Sequence, residues 1–291
     1  MSKIALVTGA TRNLGFALVK ELAERLKTVD VVYLTGRDPV QVKGCLDRIG
    51  KVKAEVRGEI LDVSDREAVE RTAALLQERH GGVDIVFSNH YMRVQPHEDP
   101  VQVIDRYIAV NNFGTTHILR SFCPLLRDGA RLLVIASRLG SLRALAPVLH
   151  PRFEKLASLD EVDQAVCVWR DAVRERRAAV EAWPGWINIP SKIGQVAAVR
   201  VVANQRRKAD LPRGILIASL SPGLIDTGAS RHWFPDMSQA KTPEDAARPL
   251  VNFVLEPDFD PAFYGELVHF GTDNAVYGKS VPSRTVVAWN S

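Results

Sequence analysis

The chain has 291 residues, of which 46% are hydrophobic and 25% charged, with 3 cysteines and a net charge of +4. This composition excludes the disordered and fibrous classes, and the apolar runs are too short for a membrane span. Three cysteines exclude a disulfide framework and indicate a cytoplasmic protein, and the small positive charge favours an anionic small molecule over nucleic acid or a membrane as partner.

Short β-branched runs alternate with helical stretches, which predicts a parallel sheet covered on both faces. The predicted strands are Ile4–Val7, Val31–Thr35, Lys53–Arg57, Asp84–Ser88, Arg131–Ala136, Ile215–Ser219 and Glu266–Phe270. The predicted helices are a leucine-spaced stretch from Leu14 to Leu26, Asp65–Arg79 and Val196–Arg206. One continuous alternation of about seven strands predicts a single α/β domain over residues 1–291, with a doubly wound, Rossmann-like sheet.

The segment from Leu142 to Trp186 interrupts this alternation, because it contains no predicted strand. A helix is predicted over Asp160–Glu181, with an apolar stripe on one side that consists of Val162, Val166, Trp169 and Val173. Prolines and a glycine bracket this helix with turns. We interpret residues 142–186 as a helical insertion that packs beside the sheet.

A glycine-rich turn follows the first predicted strand and reads Thr8-Gly9-Ala10-Thr11-Arg12-Asn13-Leu14-Gly15. Glycine at such a turn lets backbone N–H groups approach a phosphate, to which the helix N-terminus adds a partial positive charge. A plain strand-to-helix turn also explains these glycines. The second strand, however, ends in Thr35-Gly36-Arg37-Asp38, and arginine at that place suits a 2′-phosphate. Arg12 and Arg37 together therefore predict NADP(H) rather than NAD(H) as cofactor.

Several further motifs occur along the chain: Leu61-Asp62-Val63, Asn111 within Val110–Thr115, Lys192, and Pro222-Gly223 with Thr227. With the glycine-rich turn, they resemble the short-chain dehydrogenase/reductase family over essentially the whole chain and in the same order. The resemblance is closest to the monomeric, NADPH-dependent carbonyl reductases, which have an insertion at the same place. Segments similar to Ser141–Leu145 and Ser191–Gly194 also occur in those proteins.

The resemblance implies an oxidoreductase with a bound NADP(H). No metal is expected, because the seven histidines are scattered and none pairs with a cysteine at metal-ligand spacing. In such a protein Asp62 and Val63 would contact the adenine, Asn89 and Lys192 the riboses, and the Pro222–Thr227 turn the nicotinamide and its phosphates. The implied cofactor-binding residues are Gly9, Thr11, Arg12, Asn13, Leu14, Gly15, Arg37, Asp62, Val63, Asn89, Lys192, Pro222, Gly223, Ile225 and Thr227. The insertion would cover the helices that form the family's usual dimers, so the resemblance also implies a monomer.

The catalytic motif of this chain departs from the family pattern. In the family, a tyrosine four residues before the lysine protonates the carbonyl oxygen as hydride arrives, but that position here is Asn188. No tyrosine of this chain lies four residues before a lysine. The usual catalytic serine is also replaced, since the fifth strand is followed by Ser137-Arg138. Ser137 or Ser141 serves only if the local register slips, and otherwise Arg138 takes the polarising place.

Five residues are therefore the catalytic candidates: Asn111, Arg138, Asn188, Lys192 and Tyr91. Three interpretations remain open from the residues alone. Another acid replaces the phenol, with Tyr91 and His90 as candidates after the fourth strand; or the substrate is an imine or an enone whose enolate Arg138 stabilises; or no hydride moves and the protein is an isomerase, lyase or cyclase. A silent nucleotide-binding protein is a further alternative. Because the cofactor motifs are largely intact, we rank an oxidoreductase acting on a small carbonyl, enone or imine metabolite first.

Overall fold

Eight strands form one sheet in the residues that the computed structural model describes, which are 2–228, 230–274 and 280–290. The strands are β1 Ile4–Val7, β2 Val31–Gly36, β3 Glu55–Ile60, β4 Val83–Ser88, β5 Leu126–Ile135, β6 Leu216–Ser221, β7 Leu267–Asn274 and β8 Ser280–Val287. Their order in the sheet is β3-β2-β1-β4-β5-β6-β7-β8. Strands β1 to β7 are parallel, and β8 pairs with β7 in the antiparallel direction.

Helices cover both faces of this sheet. They are α1 Asn13–Arg25, α2 Pro39–Arg48, α3 Arg66–His80, α4 Pro100–Ile108, α5 Gly114–Phe122, α6 Pro151–Glu154, α7 Leu159–Arg174, α8 Asn188–Asp210 and α9 Pro243–Leu255. A π-helical turn, Ala109–Phe113, joins α4 to α5. Helices α1 and α9 pack together, and α5 packs on both α3 and α8. This arrangement confirms the predicted α/β class with a doubly wound sheet.

All seven predicted strands are present, and most of their apolar residues are buried because both faces of a parallel sheet are covered, whereas β3 at the edge of the sheet is only partly buried. The prediction missed β8. That strand contains Pro282 opposite Thr272 of β7, and proline is tolerated there because β8 is the edge of the sheet. The polar and proline-containing sequence of β8 lacks the apolar run by which the other strands were recognised.

The insertion contributes α6 and α7, and α7 packs against α4 and α8. Its predicted stripe is buried, with Val162 at 1% exposure and Val166 and Trp169 at 0%. The predicted end at Glu181 was wrong, because α7 stops at Arg174 and the backbone of Arg176 is left-handed with φ of +57°. Beyond Val173 no apolar stripe continues on the packed face, so nothing supports further helix.

Asp163 ties the insertion to α5. Its carboxylate accepts from Arg120 Nη1 at 2.9 Å and from Thr116 Oγ1 at 3.0 Å.

In the described part of the chain, no helix has both the length and the apolar character needed to cross a bilayer.

Candidate active site

The turn between β1 and α1 requires glycine at two positions. Gly9 has a left-handed backbone with φ of +60°, which residues with a Cβ rarely adopt. At Gly15 a Cβ would lie 2.4 Å from Gly9 O and 2.6 Å from Asn89 Nδ2. The glycines therefore let the turn close onto the segment that follows β4.

The N-terminus of α1 presents free backbone N–H groups. Its N-cap residue, Arg12, makes no side-chain capping bond, and the first turn contains no acidic residue. Arg12 and Asn13 are exposed, whereas Leu14 is buried and anchors the helix. Thr11 lies against Gly36, where a Cβ would be 2.5 Å from its methyl carbon, so the turn sits beside the end of β2. An open helix N-terminus of this kind is suited to a phosphate.

Positive charge is available at the end of β2. Arg37 is exposed, and neither Arg12 nor Arg37 makes an ion pair or side-chain hydrogen bond with a described residue. The adjacent Asp38 carboxylate caps α2, since it accepts from Val40 N at 2.9 Å and from Gln41 Nε2 at 2.9 Å. Because the Asp38 carboxylate is already hydrogen-bonded and the two arginines are unpaired, the end of β2 suits the 2′-phosphate of NADP(H) better than the 2′-hydroxyl of NAD(H).

Asp62 and Val63 follow β3 at the same edge of the sheet. Asp62 Oδ1 accepts from Ser64 N at 3.0 Å and from Ser64 Oγ at 2.6 Å, which fixes the carboxylate. Val63 is buried, and its carbonyl oxygen lies 3.0 Å from His117 Nδ1. Both residues therefore lie in a segment that hydrogen bonds fix in place.

Asn89 and His90 connect the segment after β4 to the glycine-rich turn. Asn89 Nδ2 donates to Thr8 O at 3.1 Å and to Gly9 O at 3.3 Å. His90 is buried, with Nδ1 2.9 Å from Thr8 Oγ1. Burial lowers the pKa of His90 to about 3, so the imidazole is neutral. His90 therefore fills space beneath the turn and is a poor candidate for an acid at the site.

Asn111 lies in the π-helical turn and is fully buried. Its side chain binds the backbone of Met92 twice, since Oδ1 accepts from Met92 N at 2.7 Å and Nδ2 donates to Met92 O at 3.3 Å. Its own carbonyl oxygen accepts from Gln195 Nε2 at 2.8 Å. Asn111 thus fixes the segment that carries Tyr91, and π-helical turns of this kind recur at functional sites.

Two tyrosine hydroxyls converge on Asn188, the first residue of α8. Tyr107 donates to Asn188 Oδ1 at 3.2 Å, and the Tyr91 hydroxyl lies 3.5 Å from the same oxygen. The two rings meet edge to face, with their centroids 6.3 Å apart. A phenol from the segment after β4 therefore reaches the position from which the tyrosine of α8 is missing.

Lys192 lies one helical turn after Asn188. Its Nζ is 5.2 Å from the centroid of the Tyr91 ring and donates to Ile135 O at 3.1 Å. Burial lowers the pKa of Lys192 to about 7, because the charged form is desolvated. Tyr91, Asn111, Asn188 and Lys192 are therefore brought together.

Burial raises the pKa of Tyr91, while the Tyr107 hydroxyl and the charge of Arg93 lower it. Burial raises the pKa of Tyr107 well above its ordinary value. Tyr107 therefore stays protonated, and Tyr91 is the phenol of the pair that ionises more readily.

Arg138 is exposed in the turn Arg138–Gly140 after β5, and this turn packs against α8, the helix of Asn188 and Lys192. Burial lowers the pKa of His269 on β7, and the charge of Arg138 lowers it further. Ser137 Oγ accepts from Leu139 N at 3.3 Å, and Ser141 Oγ donates to Ala288 O at 2.6 Å. Both serine hydroxyls therefore make hydrogen bonds with backbone groups. The Ser141 hydroxyl points toward the C-terminal segment rather than toward Tyr91.

The Pro222–Thr227 turn after β6 lies at the same edge of the sheet. Lys241 Nζ donates to Pro222 O at 3.3 Å and to Phe270 O at 2.9 Å, and Ile225 pairs with Lys241 through the backbone. Thr227 Oγ1 lies 3.0 Å from Ser230 Oγ. The Pro222-Gly223 backbone is thus anchored to β7 and to the loop that follows it.

Aromatic side chains stack beside this turn. Trp186, at the end of the insertion, stacks on Trp233 with centroids 4.9 Å apart, and Trp233 Nε1 donates to Val94 O at 3.3 Å. These contacts join the insertion, the loop after β6 and the segment after β4. Trp183 instead packs inside the insertion, where its centroid is 6.4 Å from that of Trp169.

Sequence reasoning missed Tyr107, Arg93, Gln195 and Trp233. No local motif marks them: Tyr107, Gln195 and Trp233 reach the site through contacts between distant segments, and Arg93 follows Tyr91 in a loop without a recognisable pattern. Among the residues that the structure describes, no group of three or more His, Cys, Asp or Glu side chains is arranged to hold a metal ion.

The family model for short chain dehydrogenase matches residues 3–146. The NADPH carbonyl reductase 3 of Mus musculus is 28% identical over 278 residues, which cover 92% of this chain and 96% of that protein. The NADPH carbonyl reductase 1 of Sus scrofa is 26% identical over 288 residues, which cover 97% of this chain and 96% of that protein.

Two solved structures share the fold. Menthone neomenthol reductase from Mentha piperita superposes with a TM-score of 0.71 at 18% identity, over 92% of this chain and 99% of that chain. A short chain dehydrogenase from Burkholderia cenocepacia, solved in complex with NADP, superposes with a TM-score of 0.63 at 19% identity, over 92% of this chain and 95% of that chain.

Proposed function

This chain belongs to the short-chain dehydrogenase family, and on that premise we propose that it is an NADP(H)-dependent reductase of a small carbonyl, enone or imine metabolite. We propose further that Tyr91, rather than residue 188, supplies the proton. The observation that carries this proposal is the position of the Tyr91 hydroxyl, 3.5 Å from Asn188 Oδ1, with Lys192 Nζ 5.2 Å from the same ring.

The residues present fit NADP(H). Gly9 and Gly15 close the turn, the N-terminus of α1 has free N–H groups for the phosphates, and Arg12 and Arg37 are free for the 2′-phosphate. Two relatives named as NADPH carbonyl reductases support the same cofactor. When bound, NADPH supplies the hydride.

Tyr91 is suited to protonate the product oxygen. Hydride addition to a carbonyl carbon leaves negative charge on oxygen, and a phenol within reach donates the proton that yields the alcohol. Burial keeps Tyr91 protonated at rest. Tyr107 holds its own proton more tightly, and on ionisation of Tyr91 its hydroxyl can turn from Asn188 Oδ1 to donate to the phenolate.

Lys192 and Asn188 assist without donating the proton to substrate. A protonated Lys192 beside the Tyr91 ring stabilises the phenolate electrostatically, and Asn188 holds the two hydroxyls through one amide oxygen. Asn111 positions Tyr91 through the Met92 backbone. Arg138, whose turn packs against α8, is the alternative group for stabilising charge on the product oxygen, and Arg138→Ala tests it.

The first prediction concerns the proposed acid. Tyr91→Phe should lower NADPH-dependent reduction of a reactive dicarbonyl by roughly 10²–10⁴-fold, the usual loss when a general acid is removed. NADPH binding, measured by calorimetry, should stay intact. Tyr33→Phe is the matched control, since it also removes a buried hydroxyl, one bonded to His80 away from this site.

Three results would contradict the proposed acid or the proposed reductase function. Full ketone turnover by Tyr91→Phe means that Tyr91 is not the acid. If Arg138→Ala abolishes turnover of an enone or imine while Tyr91→Phe does not, Arg138 is the stabilising group and no strong acid is needed. If product mass changes while NADPH is not consumed, the protein is an isomerase, lyase or cyclase.

A further inference from the structure

Arg93 lies beside the proposed acid, two residues after Tyr91 in the segment that follows β4. Its guanidinium is exposed and approaches the turn after β6, where a Cβ on Gly228 would lie 3.3 Å from Arg93 Nη1. With the Gln95 amide oxygen turned toward the guanidinium, Gln95 accepts from Arg93 Nη2 at 3.0 Å. The Arg93 side chain therefore spans two of the segments that border the site.

The backbone on both sides of Arg93 is held by the rest of the protein. Met92 is bound twice by the buried Asn111 side chain, and Val94 O accepts from Trp233 Nε1 at 3.3 Å. A charged group on such a supported segment is presented in a narrow range of positions. Arg93 is thus better placed for recognition than an arginine on a free surface loop.

The charge of Arg93 is not neutralised by the protein. Arg93 makes no ion pair with any described residue, and its one described side-chain partner, Gln95, is neutral. Most donors of its planar fork remain available. Burial raises the pKa of the Tyr91 phenol, and the charge of Arg93 opposes that rise. Arg93 follows Tyr91 by two residues, so this cation is carried by the same segment as the proposed acid.

We infer that Arg93 binds a carboxylate of the substrate, so that the enzyme prefers oxo acids to the corresponding neutral esters. The inference rests on the proposed reductase function and names the substrate class for that site. An arginine fork and a carboxylate can form two parallel, charge-assisted hydrogen bonds, which orient the ligand as well as bind it. With the carboxylate held by Arg93, the ketone carbonyl of the same molecule is directed toward the Tyr91 hydroxyl.

The experiment compares 2-oxo and 4-oxo acids with their methyl esters, by NADPH oxidation. Wild-type protein should favour at least one acid over its ester by roughly tenfold to hundredfold in kcat/KM, the effect of a hydrogen bond to a charged group. Arg93→Ala should remove this preference by raising KM for the acid far more than KM for its ester, and Arg93→Lys should restore part of the preference. Arg248→Ala, an exposed arginine on α9, is the matched control.

Calorimetry on the NADPH-loaded protein gives a readout that needs no turnover. The corresponding 2-hydroxy and 4-hydroxy acids should bind roughly tenfold or more weakly to Arg93→Ala, with NADPH affinity unchanged. Equal kcat/KM values for every acid and its ester, or a loss of NADPH affinity in Arg93→Ala, would overturn the inference. If nothing is reduced but hydroxy acids bind through Arg93, the reductase function fails and the carboxylate site stands. If esters are reduced through Tyr91 and acids have no advantage, the carboxylate site alone fails.

Discussion

Residue 188 is an amide, which holds a neighbouring hydroxyl but has no proton that titrates near neutral pH. The structure supplies a titratable group from another segment, because Tyr91 reaches Asn188 across 97 residues of sequence. The same residue-scale arrangement leaves Lys192 buried near an aromatic face and without a carboxylate partner in the described chain. Burial therefore shifts the pKa values of two groups beside Asn188, since it raises the pKa of Tyr91 and lowers the pKa of Lys192.

Burial of Lys192 should appear in the pH dependence of stability. The pKa of Lys192 is about 7 in the folded protein and 10.5 in the absence of burial. The folded protein therefore bears the full free-energy cost of burying the charged amine below pH 7, and this cost falls as the pH rises toward 10.5. Lys192→Met should therefore be more stable than wild type at pH 6, by on the order of 2–4 kcal/mol. The difference should shrink at pH 9, as measured by urea unfolding without cofactor.

The exposed Lys43 on α2 provides the control, since Lys43→Met removes an ammonium group that is already in water. A stability difference between Lys192→Met and wild type that is the same at pH 6 and pH 9 would show that Lys192 is not desolvated.

A charge reversal at Arg37 tests the cofactor preference. Arg37→Asp should weaken NADPH binding by about 1.5–3 kcal/mol for each charge-assisted hydrogen bond lost, and should leave NADH binding nearly unchanged. Isothermal calorimetry with both nucleotides measures this directly. Arg79→Asp makes the same charge change at the C-terminal end of α3 and should affect neither. Equal affinities of the wild type for NADPH and NADH would contradict the prediction.

At the scale of elements, the insertion and the π-helical turn organise the site. The π-helical turn places Asn111 where it can bind Met92 and accept from Gln195. Helix α7 covers α4 and α8, and its stripe is buried there. The family resemblance implies that a dimer would use these helices, and we expect the insertion to leave little apolar surface for such a dimer.

We therefore expect light scattering to give a mass near 32.2 kDa, the mass of one chain. Trp169→Ala in α7 should lower the free energy of unfolding by about 3–5 kcal/mol, because it removes a fully buried side chain. Val180→Ala, at a position that is 90% exposed, should change it by less than about 0.5 kcal/mol. A mass of two chains at low concentration would show that α7 does not prevent association.

At the scale of the whole molecule, the order of strands decides which loops meet. Strand β1 lies between β2 and β4, so the glycine-rich turn meets both Gly36 and Asn89. Ligands of such sheets bind at the carboxyl edge where the strand order reverses. The three cysteines, Cys45, Cys123 and Cys167, are free.

The sequence by itself determined the seven parallel strands, the glycine-rich turn, the arginine after β2 and the missing tyrosine before Lys192. These features are local, since strand burial, a tight turn and a four-residue spacing each depend on residues close together in the chain. The tertiary structure was needed to show that Tyr91 and Tyr107 meet at Asn188, that His90 is buried, and that Arg138 N and His269 Nδ1 both contact Ser221 Oγ. Those contacts depend on how strands and helices pack, and packing relates residues that no local pattern connects.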